Sequence, residues 1–144
     1  MWLAHHWPQD YDRCVVVGGR HVCRRCLVLY PVALAVMLAV LAGVVPSGPA
    51  VVALVLLPVP AVAEFVAEHL GLVRYSPRRQ VAVTVPLAVA LGIGFARYLE
   101  RPGDPLFWAV VAGYGSACVA VAVWSWRHGG ERTARHPDLG SGDG

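Results

Sequence analysis

The first 26 residues contain six side chains that can bind a metal ion or exchange electrons: His5, His6, Cys14, His21, Cys23 and Cys26. Cys23 and Cys26 form a C-x-x-C pair, a spacing at which two thiolates can reach one metal ion. Imidazole nitrogens or a third thiolate can complete a tetrahedral site for Zn or Fe. The run at 15–19 (VVVGG) predicts a short extended segment and a turn that fold Cys14 back toward the pair.

Two other interpretations of these cysteines remain open. The C-x-x-C pair could be a redox-active dithiol, because neighbouring arginines and the N-terminus of a following helix favour the thiolate. Alternatively, the cysteines are small apolar residues and the histidines are interfacial, with no joint role. Cys118, alone in a later apolar stretch, is expected only to fill space.

The rest of the chain is too apolar for a soluble domain. Of its 144 residues, 57% are hydrophobic and 15% charged, and no charged residue or histidine occurs between positions 27 and 63. Soluble domains carry about a quarter charged residues, and a bilayer core needs about 20 apolar residues per helix. The sequence predicts an all-α integral membrane bundle of four transmembrane helices, at 27–45, 50–72, 80–96 and 105–126.

These spans divide the chain into three parts. We expect a cytosolic Cys/His-rich segment at 1–26, the transmembrane domain at 27–126 and a disordered cytosolic tail at 127–144. Prolines inside the second and third spans (Pro58, Pro60 and Pro86) predict kinks. Small residues in the third and fourth spans would let helices approach closely; the glycines among them are Gly92, Gly94, Gly113 and Gly115.

The placement of arginines predicts the orientation. Ten of the twelve lie before the first span, between the second and third, or after the fourth. The last loop has only Arg97 and Arg101, offset by Glu100 and Asp104. Since cytosolic loops carry the excess of basic residues, we expect a multi-pass protein of the plasma membrane with both termini in the cytosol, an N-in/C-in topology.

The same loops suggest the partners. Apart from the bilayer itself, we expect anionic lipid headgroups near three loop arginines, Arg74, Arg78 and Arg79. The basic loops are too short and too near the bilayer to indicate nucleic acid. A homo-oligomer or a membrane-protein partner is compatible with so small a bundle. No Ser-His-Asp set, phosphate loop or nucleotide fingerprint is present in the sequence.

Three polar residues fall within the second span: Glu64, Glu68 and His69. Ionisable groups inside a membrane are costly and usually functional. We expect Glu64 to face the bundle interior, as a carboxylate supporting the metal ligands, an ion ligand or a proton carrier. The alternative is that it pairs with a nearby arginine, for which Arg78, Arg79 and Arg97 are candidates. We expect Glu68 and His69 to be interfacial and solvated.

The cysteine segment resembles the bacterial membrane proteins catalogued as domain of unknown function 2085. That family's pattern begins with Cys-His, Pro-x-Arg-Ser and a Gly, followed by C-A-R-C-T-G-I-Y at the head of the first helix. Here Cys23-Arg24-Arg25-Cys26, followed by Leu27-Val28-Leu29-Tyr30, matches the C-x-R-C and Tyr positions, while His5-His6 stands at the Cys-His pair. Arg13-Cys14 stands at Arg-Ser, and Glu64 and Arg79 could fill the family's later acidic and Arg positions.

The resemblance covers the N-terminal third of the chain and implies architecture and a site, but no activity. The exchange of Cys for His at position 5 fits metal binding better than thiol-only chemistry. We therefore expect a cytosolic-face metal site in a sensor, scaffold or accessory subunit rather than an enzyme. One alternative is a thiol–disulfide oxidoreductase using Cys23 and Cys26, which the reducing cytosol disfavours. Another is a small transporter using Glu64, for which four helices leave little room.

Overall fold

The computed structural model describes residues 14–73 and 76–133 as two short strands followed by five helices. The strands are β1 (Cys14–Val17) and β2 (Arg20–Cys23), which form an antiparallel hairpin. The helices are α1 (Arg24–Leu41), α2 (Ser47–Leu56), α3 (Val59–His69), α4 (Pro77–Glu100) and α5 (Pro105–Thr133). The expectation of an all-α chain therefore holds for the spans, while the N-terminal segment adds a small sheet.

Four stretches are long and apolar enough to cross a membrane: Arg24–Leu41, Ser47–His69, Pro77–Glu100 and Pro105–His128. They correspond to the four predicted spans. The third is longer than the predicted 80–96, because the arginines and other polar residues at both of its ends are also helical. Helix α5 continues to Thr133, beyond the predicted end of its span at 126, and residues 134–144 of the predicted tail lie outside the described residues.

Two prolines divide the second span into α2 and α3. Pro58 and Pro60 lack the N–H groups that would otherwise bond to the carbonyls one turn earlier. The helix accordingly breaks at residues 57–58. Near the break, the Tyr114 hydroxyl from α5 donates a hydrogen bond of 2.6 Å to the Val55 carbonyl. A neighbouring helix thus provides a hydrogen-bond donor for a carbonyl close to the break.

Close packing joins α1 to α4, the most extensive interface between helices. A Cβ placed on Gly92 would lie 2.5 Å from the Ala33 carbonyl oxygen and 2.8 Å from the Val36 Cβ. Ala88 and Ala96, one turn to either side of Gly92, are fully buried. Small residues at this spacing let two helix backbones approach closely, which confirms that expectation for Gly92.

Helix α5 lies at the periphery. None of its most apolar 18-residue stretch is buried, compared with 39% of that in α4. Phe107 of α5 packs near Gly94, since a Cβ placed on Gly94 would lie 3.4 Å from the Phe107 ring. A Cβ on Gly113 or Gly115 would meet nothing within 4 Å. The close approach expected at these two glycines is therefore not made within the described part of the chain.

Candidate functional site

The N-terminal hairpin brings Cys14 opposite Cys23. Its strands are rich in valine, which favours extended structure, and its two-residue loop is Gly18-Gly19. Both glycines have positive φ (56° and 74°), as a type I′ hairpin turn requires. The register pairs Val17 with Arg20 beside the turn and Cys14 with Cys23 at the open end. The sequence prediction that Cys14 folds back toward the C-x-x-C pair is thereby confirmed.

Helix α1 begins directly after the hairpin and adds a third thiol. Cys23 is the N-cap residue, and Cys26 lies in the first helical turn. The Cys26 thiol is hydrogen-bonded to Cys23 and lies within electrostatic range of Cys14 and Arg25. Cys14 and Cys23 are buried, at 7% and 8% exposure, whereas Cys26 is partly exposed. We call Cys14, Cys23 and Cys26 the thiol cluster.

The predicted histidine ligands cannot be placed beside the thiol cluster. His5 and His6 lie outside the described residues, and for His21 only the backbone is described, opposite Val16 in the hairpin. Over residues 14–73 and 76–133, no group of three or more His, Cys, Asp or Glu side chains is arranged to hold a metal ion. The structure thus makes the three cysteines neighbours but does not arrange their side chains as a metal site.

Opposing effects act on the charge of the Cys26 thiol. The α1 N-terminus has no side-chain cap, so its first backbone N–H groups and its dipole point positive charge toward the residues at that end. Arg25 adds a cation close to Cys26. Both favour a thiolate, the form of cysteine that binds metals and attacks disulfides. The partial burial of Cys26 and its neighbouring thiols, Cys23 and Cys14, act in the opposite direction and outweigh Arg25. Cys118 lies far along the chain in α5 and is partly buried.

Glu64 pairs with an arginine, which is the alternative considered above. The Arg79 Nε–H donates to Glu64 Oε1 at 2.7 Å. The Glu64 side chain is 11% exposed and that of Arg79 38% exposed. This ion pair joins the last turns of α3 to the first turn of α4. A carboxylate held in this way links the two helices.

The other predicted polar positions of α3 are partly buried. The His69 Nδ1–H donates to the Phe65 carbonyl oxygen at 2.9 Å, and the centre of the His69 ring lies 3.9 Å from that of the Phe65 ring. Because a carbonyl oxygen can only accept, Nδ1 carries the hydrogen. Glu68 also has an interaction partner. Of the loop arginines expected near lipid headgroups, Arg78 is exposed, Arg79 is paired with Glu64, and Arg74 lies outside the described residues.

A second ion pair closes the loop between α4 and α5. Arg97 donates to Asp104 Oδ2 at 2.6 Å, while Asp104 Oδ1 accepts the Leu106 N–H at 2.9 Å and so caps α5. Burial alone would raise the pKa of Asp104. The Leu106 hydrogen bond and the Arg97 guanidinium outweigh that effect and hold the pKa below its usual value. Sequence reasoning treated Asp104 only as a charge; the Asp-Pro start of α5 was the signal for a cap.

Tyr114 is a further residue that sequence reasoning missed. Its hydroxyl reaches the break between α2 and α3, and its ring helps to line an apolar cleft of about 160 Å³ between α2, α4 and α5. Among the described residues, those that line the cleft are uncharged; they include Leu54, Pro58, Leu87 and Phe107. No sequence signal relates Tyr114 to Val55, because the two residues are 59 positions apart.

Comparisons with known proteins do not assign the chain to a family: no family model, curated protein or solved structure matches it. The resemblance to domain of unknown function 2085 stays a prediction. The thiol cluster and the two ion pairs are therefore the features from which function can be argued.

Proposed function

We propose that the chain is a multi-pass membrane protein whose thiol cluster binds one soft metal ion, Zn²⁺ or iron, on the cytosolic face. The observation that carries the proposal is that Cys23 is paired with Cys14 across the hairpin and hydrogen-bonded to Cys26 at the start of α1. The role that fits such a site is that of a metal-dependent scaffold, sensor or accessory subunit.

Membrane insertion is supported by the exposed surface. Large apolar side chains are exposed on α1, α2 and α5, among them Leu34, Leu38, Leu56 and Val119. Near the two ends of the α5 span, Trp108 and Trp126 are also exposed. They are separated by about 27 Å along the helix, close to the hydrocarbon thickness of about 30 Å. Tryptophan favours both membrane interfaces.

The cytosolic placement of the thiol cluster is supported by the arginine bias. Arg24 and Arg25 begin α1, and Arg78 and Arg79 begin α4. Both helices therefore start from the side with the larger number of basic residues, which the positive-inside rule assigns to the cytosol. The same bias supports contact between Arg78 and anionic headgroups. Cytosolic thiols stay reduced, which suits metal binding.

The proposed ligands are the three thiolates and one imidazole. His21 is our first choice, because in the sequence it precedes Cys23 by two residues. His5 and His6 are the other candidates. Three sulfur ligands and one nitrogen form a closed tetrahedral set typical of structural zinc. A closed set leaves no position for substrate, which favours a scaffold or sensor over an enzyme.

The transporter alternative is less well supported. It requires Glu64 to bind or carry an ion, yet Glu64 is already paired with Arg79 at 2.7 Å. Glu64→Gln should therefore leave any flux measured in reconstituted vesicles unchanged, whereas loss of flux would favour transport over our proposal.

Metal analysis of the detergent-purified chain, combined with a count of reactive thiols, tests the proposal. We expect about one zinc or iron per chain, with the cluster thiols protected from alkylation until a chelator is added. Cys118 provides an internal reference outside the cluster. A metal-free protein whose cluster thiols react without chelator would contradict metal binding. Labelling of the cluster by an impermeant maleimide applied outside intact cells would contradict the orientation.

A further inference from the structure

We infer that Cys14 and Cys23 form a disulfide under oxidising conditions, and that this disulfide expels the metal ion from the thiol cluster. The disulfide part of the inference rests on the hairpin geometry alone. The release of metal rests on the proposed function. The pair differs from the C-x-x-C pair, Cys23 and Cys26, that the sequence pattern would select.

The register of the hairpin carries the inference. In an antiparallel ladder, hydrogen-bonded and non-hydrogen-bonded residue pairs alternate. Counting outward from the hydrogen-bonded pair that closes the two-residue turn, Val17 with Arg20, makes Cys14 with Cys23 a non-hydrogen-bonded pair. The Cα atoms of such pairs are about 4.5 Å apart and their side chains are close. Disulfides need Cα separations of about 4.4–6.8 Å.

The competing disulfide would join Cys23 to Cys26, whose thiols are hydrogen-bonded to each other. It would close a ring with two intervening residues at the point where α1 begins. Cys14 and Cys23, in contrast, are already held opposite each other by the antiparallel pairing of β1 with β2, so the loop between them is closed before a disulfide forms. Both cysteines are buried, and a buried disulfide between them would be shielded from reducing thiols.

The three thiols also provide a path for the oxidant. Cys26 is partly exposed, so its thiolate attacks glutathione disulfide, forms a mixed disulfide and releases one glutathione thiolate. Cys23, hydrogen-bonded to Cys26, attacks the Cys26 sulfur and releases the second glutathione. Cys14 then attacks the Cys23 sulfur and returns Cys26 to the thiolate. Two protein thiols have become one disulfide, and glutathione disulfide has gained the two electrons.

Oxidation then removes two of the three proposed thiolate ligands. A disulfide sulfur carries no negative charge and binds Zn²⁺ weakly, since thiolate is the ligand form. The remaining thiolate, Cys26, with an imidazole cannot retain the ion. The site is thereby a switch that holds metal in a reducing cytosol and releases it on oxidation.

Disulfide mapping of the full chain in detergent tests this inference, and the sequence makes the test direct. Trypsin places the three cluster cysteines on separate peptides, 14–20, 21–24 and 26–74. The protein is equilibrated with glutathione disulfide and glutathione, quenched with acid, alkylated, digested and analysed by mass spectrometry. We expect peptide 14–20 linked to 21–24 in about tenfold excess over 21–24 linked to 26–74. An excess of the latter, or no disulfide at all, would overturn the inference.

Two variants distinguish the inferred disulfide exchange from a folding defect, and a metal measurement distinguishes the inference from the proposed function. Cys14→Ser should stop the exchange one step early and accumulate the Cys23–Cys26 disulfide. Cys118→Ser, outside the cluster, should behave as wild type. Metal content is measured on the same samples before oxidation. Disulfide without initial metal would refute the proposed function alone, whereas metal that stays bound with no disulfide would refute the inference alone.

Discussion

Helices α1 and α5 are attached to the rest of the protein in different ways. Helix α1 packs against α4 through small residues, with Gly92 so close to the Ala33 backbone that a methyl group would not fit. Helix α5 has no buried residue in its most apolar stretch. Its attachments include the Tyr114 hydrogen bond to Val55 and the Asp104 ion pair with Arg97. Close packing stabilises one helix, and a few polar contacts stabilise the other.

This difference shows what small residues in an apolar helix do and do not indicate. Gly92 in α4 and Gly113 in α5 have similar sequence surroundings, and both predict that a helix could approach closely. Only Gly92 has a neighbour within 4 Å. The largest effects of mutation should therefore arise in the α1–α4 interface and the smallest in the polar loop before α5.

The largest expected effect is that of Gly92→Leu. Its side chain would have to displace the backbone of Ala33 and the Val36 side chain, and we expect a loss of about 3 kcal/mol or more in the free energy of unfolding. The matched control is Gly113→Leu, which has open space and should change that energy by less than about 0.5 kcal/mol. Thermal unfolding in detergent, followed by circular dichroism, measures both. Equal effects would remove the contrast between the two helices.

A smaller loss should follow from breaking the link between α3 and α4. Arg79→Gln leaves the Glu64 carboxylate, only 11% exposed, without its guanidinium. We expect a loss of about 2 kcal/mol, less than for a fully buried pair because Arg79 is partly solvated. Arg78→Gln is the control, since Arg78 is the exposed neighbour. The pair of variants is compared in the same unfolding assay, and a larger effect for Arg78 would show that the ion pair contributes little.

Tyr114→Phe tests the polar attachment of α5. The ring stays, but the Val55 carbonyl loses its donor, and we expect a cost of about 1 kcal/mol. Hydrogen exchange should rise in α5 and near residues 55–58 while α1 and α4 keep their protection. Tyr30→Phe, which alters an exposed hydroxyl in α1, should change neither. Unaltered exchange in α5 for Tyr114→Phe would mean that packing, rather than this bond, holds the helix.

The smallest effect is a dependence on pH. The pKa of Asp104 is lowered in the folded state, so the stabilisation from its carboxylate is present above the usual aspartate pKa of about 3.9 and is lost as the pH falls through the lower folded value. The Trp108 indole donates to Pro102 O in the same loop, so its fluorescence should change only in that acidic range. Asp104→Asn should abolish the transition, and its persistence in that variant would assign it to another group.

Much of the fold follows from the sequence because bilayer length and hydropathy are strong constraints. All four spans, the break at Pro58 and Pro60 and the turn that returns Cys14 to Cys23 could be predicted from residue types. The ends of α4 could not, since its terminal arginines are compatible with either a helix or a loop. Which glycines have neighbours also depends on tertiary contacts that residue types do not determine.

The candidate site was predictable only in part. The C-x-x-C spacing and the Gly18-Gly19 turn identify the three thiols, because both act over a few residues. Whether Glu64 has a role in the bundle interior or pairs with an arginine could not be decided from the sequence, because its partner Arg79 lies fifteen residues away and its position depends on the fold. Tyr114 and Val55 are 59 residues apart, and their bond depends on how α5 lies against the broken helix.

The most direct measurement for the central claim is the zinc and iron content of two cysteine variants purified side by side. Cys23→Ser removes the thiol that the hairpin and α1 share, whereas Cys118→Ser removes a thiol in α5 outside the cluster. We expect Cys118→Ser to retain about one metal ion per chain, as in the wild type, and Cys23→Ser to lose at least about nine-tenths of it. Equal metal content in the two variants, whether full or absent, would contradict a metal site built on the thiol cluster.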